Sequence, residues 1–109
     1  MADLQLDKES LAKYTTDINE AALEGLVKTY ALVMRNQDSS TVACSDVTEK
    51  ETVRENFLKK KLGLTLADEE LDAAIESVCT IMKPDRFKSR ITFYYLLAEK
   101  YEKLDLFIR

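Results

Sequence analysis

Cys44-Ser45-Asp46 sets a thiol, a hydroxyl and a carboxylate side by side, directly ahead of a stretch with helical spacing. A thiolate at a helix N-terminus has a lowered pKa, and the backbone N–H groups gathered there attract anions. Asp46 acts against that chemistry, because a neighbouring negative charge raises a thiol's pKa. The chain contains no histidine, which removes the commonest general base and the commonest metal ligand. A Ser-His or Cys-His nucleophile pair is therefore impossible, and Cys44 with the distant Cys79 does not make a zinc site. Two glycines in the whole chain cannot form a phosphate-cradling loop. The reading that follows is Asp46 as a helix cap beside a half-buried Cys44, with no catalytic constellation, cofactor or metal implied. The N-terminal Met1-Ala2-Asp3-Leu4 carries no export signal. Both thiols are then expected to be free in a reducing cytosol, Cys79 buried and Cys44 accessible.

The next stretch carries cations in an unusual place. On an α-helical wheel at about 100° per residue, Val53 and Phe57 lie near 0–40° and Leu58, Leu62 and Val47 near 120–180°. Lys50, Arg54 and Lys61 fall between them, near 60–100°. A basic stripe inside an apolar arc has two readings. Long stems snorkel out of a packed face toward carboxylates of the same chain, or the cations meet an external acidic or phosphate ligand. The charge pattern points to residues 68–76 as the internal partner. Residues 47–62 carry a net +2, whereas 63–82 carry five acids and no base. Lys59-Lys60-Lys61 and Asp68-Glu69-Glu70 both sit where helix dipoles favour them, at a C-terminus and an N-terminus. A second basic cluster, Lys83, Arg86, Lys88 and Arg90, opens the last helix. A chain of net charge −4 is a poor non-specific ligand for nucleic acid.

These residues need elements to hold them. With 109 residues, one Pro and two Gly, the chain has the size of one domain (1–109) and few of the breakers an all-β fold requires. An apolar fraction of 46% is too high for disorder, and no run approaches a membrane span. The periodicity predicts about five helices. The first covers 7–18, with Leu11, Tyr14 and Ile18 as its stripe. The second runs from an Asn19 cap to Arg35, with Leu23, Leu26, Val27, Tyr30, Ala31 and Met34 on one face. Gly25 lies opposite that face and costs about 1 kcal/mol against alanine. Leu32 points away as well. Residues 36–46 read as a loop with Val42 and Cys44 dipping inward. The third helix is capped by Asp46 or Thr48 and ends at Gly63, suited to a left-handed residue. The fourth starts between Thr65 and Asp68, presents Leu71, Ala74, Ile75, Val78, Ile81 and Met82, and stops at Pro84.

The last helix, Phe87 to Leu104, has an apolar arc of about 200°, twice what a surface helix needs. It is therefore expected at the centre of an all-α bundle, with its tyrosine hydroxyls reaching the edge. The tail Asp105-Leu106-Phe107-Ile108-Arg109 is too apolar to float and is expected to fold back or meet a partner.

Cys44-Ser45-Asp46, Thr52 to Leu64, Phe93-Tyr94-Tyr95-Leu96-Leu97-Ala98, Leu71 to Ile75, Val78-Cys79 and Ala12-Lys13-Tyr14 together form a recognisable pattern. The chain resembles a family of small bacterial proteins of similar length known only as a domain of unknown function. The likeness spans most of the chain, best from Cys44 to Ala98 and least over 19–40. It implies a bacterial cytosolic helical domain and brings no activity, cofactor or partner with it. The expected role is a cytoplasmic protein-interaction or accessory module without catalytic activity, binding a protein partner or itself, away from membranes. Leu32, Leu96 and the tail are the residues left over for contact. The alternative is an anion- or nucleic-acid-binding module using Lys50, Arg54, Lys61 and the Lys83–Arg90 cluster.

Overall fold

The computed structural model describes residues 9, 11–16, 18–35, 41–85 and 88–108. Loop positions 36–40, the side chain of Met34, Arg86 and Phe87 fall outside the described residues, as do Asp7 and Ser10 of the expected first helix. Four helices make up an all-α fold among the described residues, where the sequence predicts about five. Helix α1 (Glu20–Thr29) continues after Tyr30 as one short turn, Ala31–Arg35. Helix α2 starts as Val47–Thr52 and passes into a π-wound segment, Val53–Lys61. Helices α3 (Asp68–Ile81) and α4 (Arg90–Lys100) follow, and a 3₁₀ turn, Leu104–Phe107, ends the fold.

The difference in helix count lies at the N-terminus. Glu9 and Leu11 are helical, but residues 12–14 already form a turn. The N–H groups of Tyr14 and Thr15 both donate to the Leu11 carbonyl, at 2.9 and 3.1 Å. The weak helix formers Thr15 and Thr16 do not carry the helix further. Asn19 caps α1 as expected, its side chain accepting from the Ala22 N–H at 3.1 Å. The predicted single helix to Arg35 breaks at Tyr30. Immediately before it the Thr29 hydroxyl donates to the Gly25 carbonyl at 2.7 Å, a back-bond of the kind that bends helices.

Helix α4 is the centre of the molecule. Every residue from Arg90 to Ala98 is buried, including all four faces of the turn. Leu96 is therefore core and not a contact residue, because α1, α3 and the 3₁₀ turn surround the helix. The tyrosine hydroxyls find partners at its margins: Tyr95 accepts from the Asn19 N–H at 2.8 Å, and Tyr94 accepts from Arg90 at 2.8 Å. Ile81, assigned to the core face of α3, is instead half exposed at the last turn of the helix. The tail does fold back. Phe107 is buried and stacks on Phe57 (centroids 6.2 Å apart), which stacks in turn on Tyr94 at 3.9 Å.

Candidate functional site

The region that holds the candidate residues is the helical hairpin α2–α3. It turns through Gly63, whose φ of 70° requires the left-handed region that glycine enters without strain. The Leu64 N–H closes the turn on the Leu58 carbonyl at 3.0 Å. The two helices run antiparallel, so residues at equal distances before and after Gly63 face each other. Arg54 meets Asp72, nine positions either side; Lys50 meets Glu76, thirteen either side; Lys59 meets Asp68 next to the turn.

The α-helical wheel had placed Lys50, Arg54 and Lys61 inside an apolar arc. The π-winding removes that conflict for Arg54 and Lys61, whereas Lys50 lies ahead of it in the α-helical part. With i→i+5 bonding a π-segment advances roughly 80° per residue, near 4.4 residues per turn. Val53, Phe57, Leu58 and Leu62 then gather within an arc of about 80°, and Arg54 and Lys61 move to either flank. The burial agrees: all four apolar residues are buried, Arg54 is intermediate and Lys61 is exposed. Splitting of the apolar positions into two α-helical arcs was the available sign of a non-α winding.

Arg54 is held by the same chain, the internal reading of the basic stripe. Its Nη1 donates to both Asp72 carboxylate oxygens at 3.1 Å, and its Nε donates to Glu55 at 2.9 Å. Glu55 and then Asp72 raise its already high pKa. Lys59 joins the network through Glu55 at 2.8 Å and Asp68 at 2.6 Å, and Glu55 is lowered first by Lys59 and then by Arg54. Lys61 takes a different partner: its ammonium stands 5.6 Å from the centre of the Phe107 ring. Between α2 and α3 a shallow cleft of about 200 Å³ is lined by Val47, Lys50, Arg54, Asp72, Ile75 and Glu76.

At the open end of the hairpin the expectation of two free thiols is overturned. Cys44 and Cys79 form a disulfide, with Cα atoms 5.9 Å apart and a sequence separation of 35. Distance along the chain had argued against pairing. The hairpin cancels that distance, because Cys44 precedes Gly63 by nineteen residues and Cys79 follows it by sixteen. Near symmetry about the turn was the sign in the sequence that pointed to it. Ser45 is exposed in the turn that follows, closed by the Asp46 N–H on the Ala43 carbonyl at 3.1 Å. Asp46 caps α2 by accepting from the Thr48 and Glu49 N–H groups at 2.9 and 3.3 Å. Sulfur in a disulfide is not a thiolate, so the helix-terminus nucleophile considered for Cys44 does not exist in this form.

The described residues of the second cluster turn to different surroundings. Arg90 is buried, donating to the Thr41 carbonyl at 3.2 Å and pairing with Glu49. Lys88 donates to the Asp85 carbonyl at 2.9 Å, and Lys83 is exposed. Among the described residues no three His, Cys, Asp or Glu side chains converge as a metal site, and no helix is long and apolar enough to cross a membrane.

The family described as protein of unknown function DUF2853 matches residues 7–105. This chain belongs to that family. The match takes in the whole α2–α3 hairpin and the central α4. No curated protein matches the chain in sequence.

Proposed function

We propose that this member of the DUF2853 family is a non-catalytic accessory module that works by binding another protein. The observation that carries the reading is where its cations are spent. Lys50, Arg54, Lys59 and Arg90 are each paired with a carboxylate of the same chain. An anion or a nucleic acid would have to break those pairs before it could bind, which weakens the anion-binding alternative. Beside the exposed Lys61 and Lys83 the surface offers large apolar residues: Leu32 is 76% exposed, Val47 65% and Ile81 46%. Val47 and Ile81 both belong to the disulfide end of the hairpin. A bacterial, cytosolic setting rests on the resemblance in sequence. In that compartment a disulfide is a transient, redox-responsive bond and not a permanent staple.

Two measurements test the reading. Retention on an anionic matrix should be weak and insensitive to Lys50→Ala. Affinity purification should recover a partner with the wild-type chain and lose it with Val47→Asp or Ile81→Asp, circular dichroism showing both variants folded. Strong, salt-dependent retention abolished by Lys50→Ala or Arg54→Ala would replace this reading with an anion-binding module.

A further inference from the structure

We propose that the Cys44–Cys79 disulfide is a thiol-exchange site that an external thiol enters at Cys44, and that its opening releases the first half of α2 while the rest of the domain stays folded. Three observations meet here. Cys79 is only 8% exposed, on the core side of α3. Cys44 is half-buried in a turn whose neighbours Ala43, Ser45 and Asp46 are all exposed. Exchange requires a thiolate to reach a sulfur, and access selects Cys44.

The third observation concerns what the bond restrains. The α-helical part of α2, Val47–Thr52, buries none of its residues. Burial begins only at Val53, with the π-segment. Between Cys44 and Val53 the chain is held by the disulfide, by the Glu49–Arg90 pair and by the Lys50–Glu76 pair, of which Glu76 is more than half exposed. Upstream, Val42 is buried and its N–H donates to the Lys88 carbonyl at 2.9 Å. Residues 43–52 are thus a bridge anchored at both ends, with the covalent bond as its main fastening to α3.

The chemistry needs a thiol reductant of the glutathione class or a protein dithiol. Its thiolate attacks the Cys44 sulfur, the S–S bond breaks, and the electron pair leaves on the Cys79 sulfur, which takes a proton. A second thiol then attacks the mixed disulfide, leaving Cys44 and Cys79 as thiols and one external disulfide, two electrons and two protons having passed to the protein. Until then Cys79 can reverse the first step, so it is the resolving thiol.

The test uses the oxidised chain under native conditions and reduced glutathione as the probe. After acid quenching and alkylation, peptide mass mapping should find glutathione on Cys44 and the alkyl group on Cys79. Hydrogen exchange of the fully reduced chain should speed up by about tenfold or more over residues 43–52 and stay unchanged over 91–98. Cys44→Ser, which cannot form the bond, should show the same exchange pattern with no reductant present. Glutathione found chiefly on Cys79 would overturn the proposal. So would a disulfide reduced only in denaturant, unchanged exchange over 43–52, or equal acceleration over 91–98.

Discussion

The Cα of Gly25 on α1 lies directly under the backbone of Phe107, so that a methyl group added there would overlap the Phe107 carbonyl. In isolation Gly25→Ala would favour the helix by about 1 kcal/mol. Here the added carbon has no room, and the 3₁₀ turn would have to lift off. Phe107 would then leave its stack on Phe57 and its contact with Lys61. Gly25→Ala is therefore expected to lower the thermal midpoint, despite the better helix propensity. A raised midpoint in a circular-dichroism melt would mean that the C-terminal turn does not occupy this position.

The same glycine shows where a one-dimensional reading loses information. Gly25 reads as a defect on an open face, because its reason is a segment eighty residues downstream. The central helix was legible, since the wide apolar arc around Tyr94 and Tyr95 permits no surface placement. The Arg54 pairing was legible too, because an acid-only segment follows one short turn after a basic one. Two features left only indirect signs. The π-winding of Val53–Lys61 changes the angle per residue itself, so an α-wheel gives Arg54 the wrong neighbours. The disulfide depends on the fold of the hairpin, and sequence separation between Cys44 and Cys79 hides it.

Among the described residues Tyr95 is the largest fully buried side chain, and its two parts can be separated. Tyr95→Ala empties the centre of the core and should cost roughly 3–5 kcal/mol. Tyr95→Phe keeps the ring and removes only the oxygen that accepts from the Asn19 N–H. Its cost should be nearer 1 kcal/mol, the scale of one hydrogen bond. Urea titrations of the two variants should give midpoints in that order. Equal losses would show that the hydrogen bond at the start of α1, and not the ring, is what Tyr95 contributes.

Tyr14 and Asp85 make stability depend on pH at both ends of the scale. The Tyr14 hydroxyl donates to Asp85, and Lys13 adds an ion pair at 3.2 Å. Asp85 is held below the ordinary carboxylate range, first by that hydroxyl and then by Lys13, against the opposing effect of burial. Its contribution is present above the unfolded value and is lost as pH falls through the depressed one. Tyr14 is pushed up to about 12, by burial first and then by Asp85. Its contribution is present below its ordinary value of 10.0 and is lost as pH rises toward 12. The stability gap between wild type and Tyr14→Phe should accordingly be widest in the middle of the pH range and narrow at both extremes. A gap independent of pH would mean that the hydroxyl and the carboxylate do not interact.

Arg54 should couple to Asp72 of α3 and not to Glu76 one turn further from Gly63; Asp68, on the Gly63 side, approaches it only at 3.9 Å. Asp72 and Glu76 are both acids on α3 lining the same cleft, so charge alone does not distinguish them. Geometry does. Asp72 stands nine residues after Gly63 and Arg54 nine before it, and Arg54 Nη1 reaches both Asp72 oxygens at 3.1 Å. Glu76 is opposite Lys50, which takes it. A double-mutant cycle between Arg54→Ala and Asp72→Ala should therefore give a favourable coupling that weakens as salt is added, since Asp72 is nearly half exposed. The cycle of Arg54→Ala with Glu76→Ala should give none, while Lys50→Ala with Glu76→Ala should. The pattern tests the register of the hairpin as well as the ion pairs. If α3 were slipped by one turn toward Gly63, Arg54 would face Glu76 and the two couplings would exchange. If neither acid coupled to Arg54, the pairing across the hairpin through Asp72 would fall, and Glu55 and Asp68 would be left as its partners in the chain.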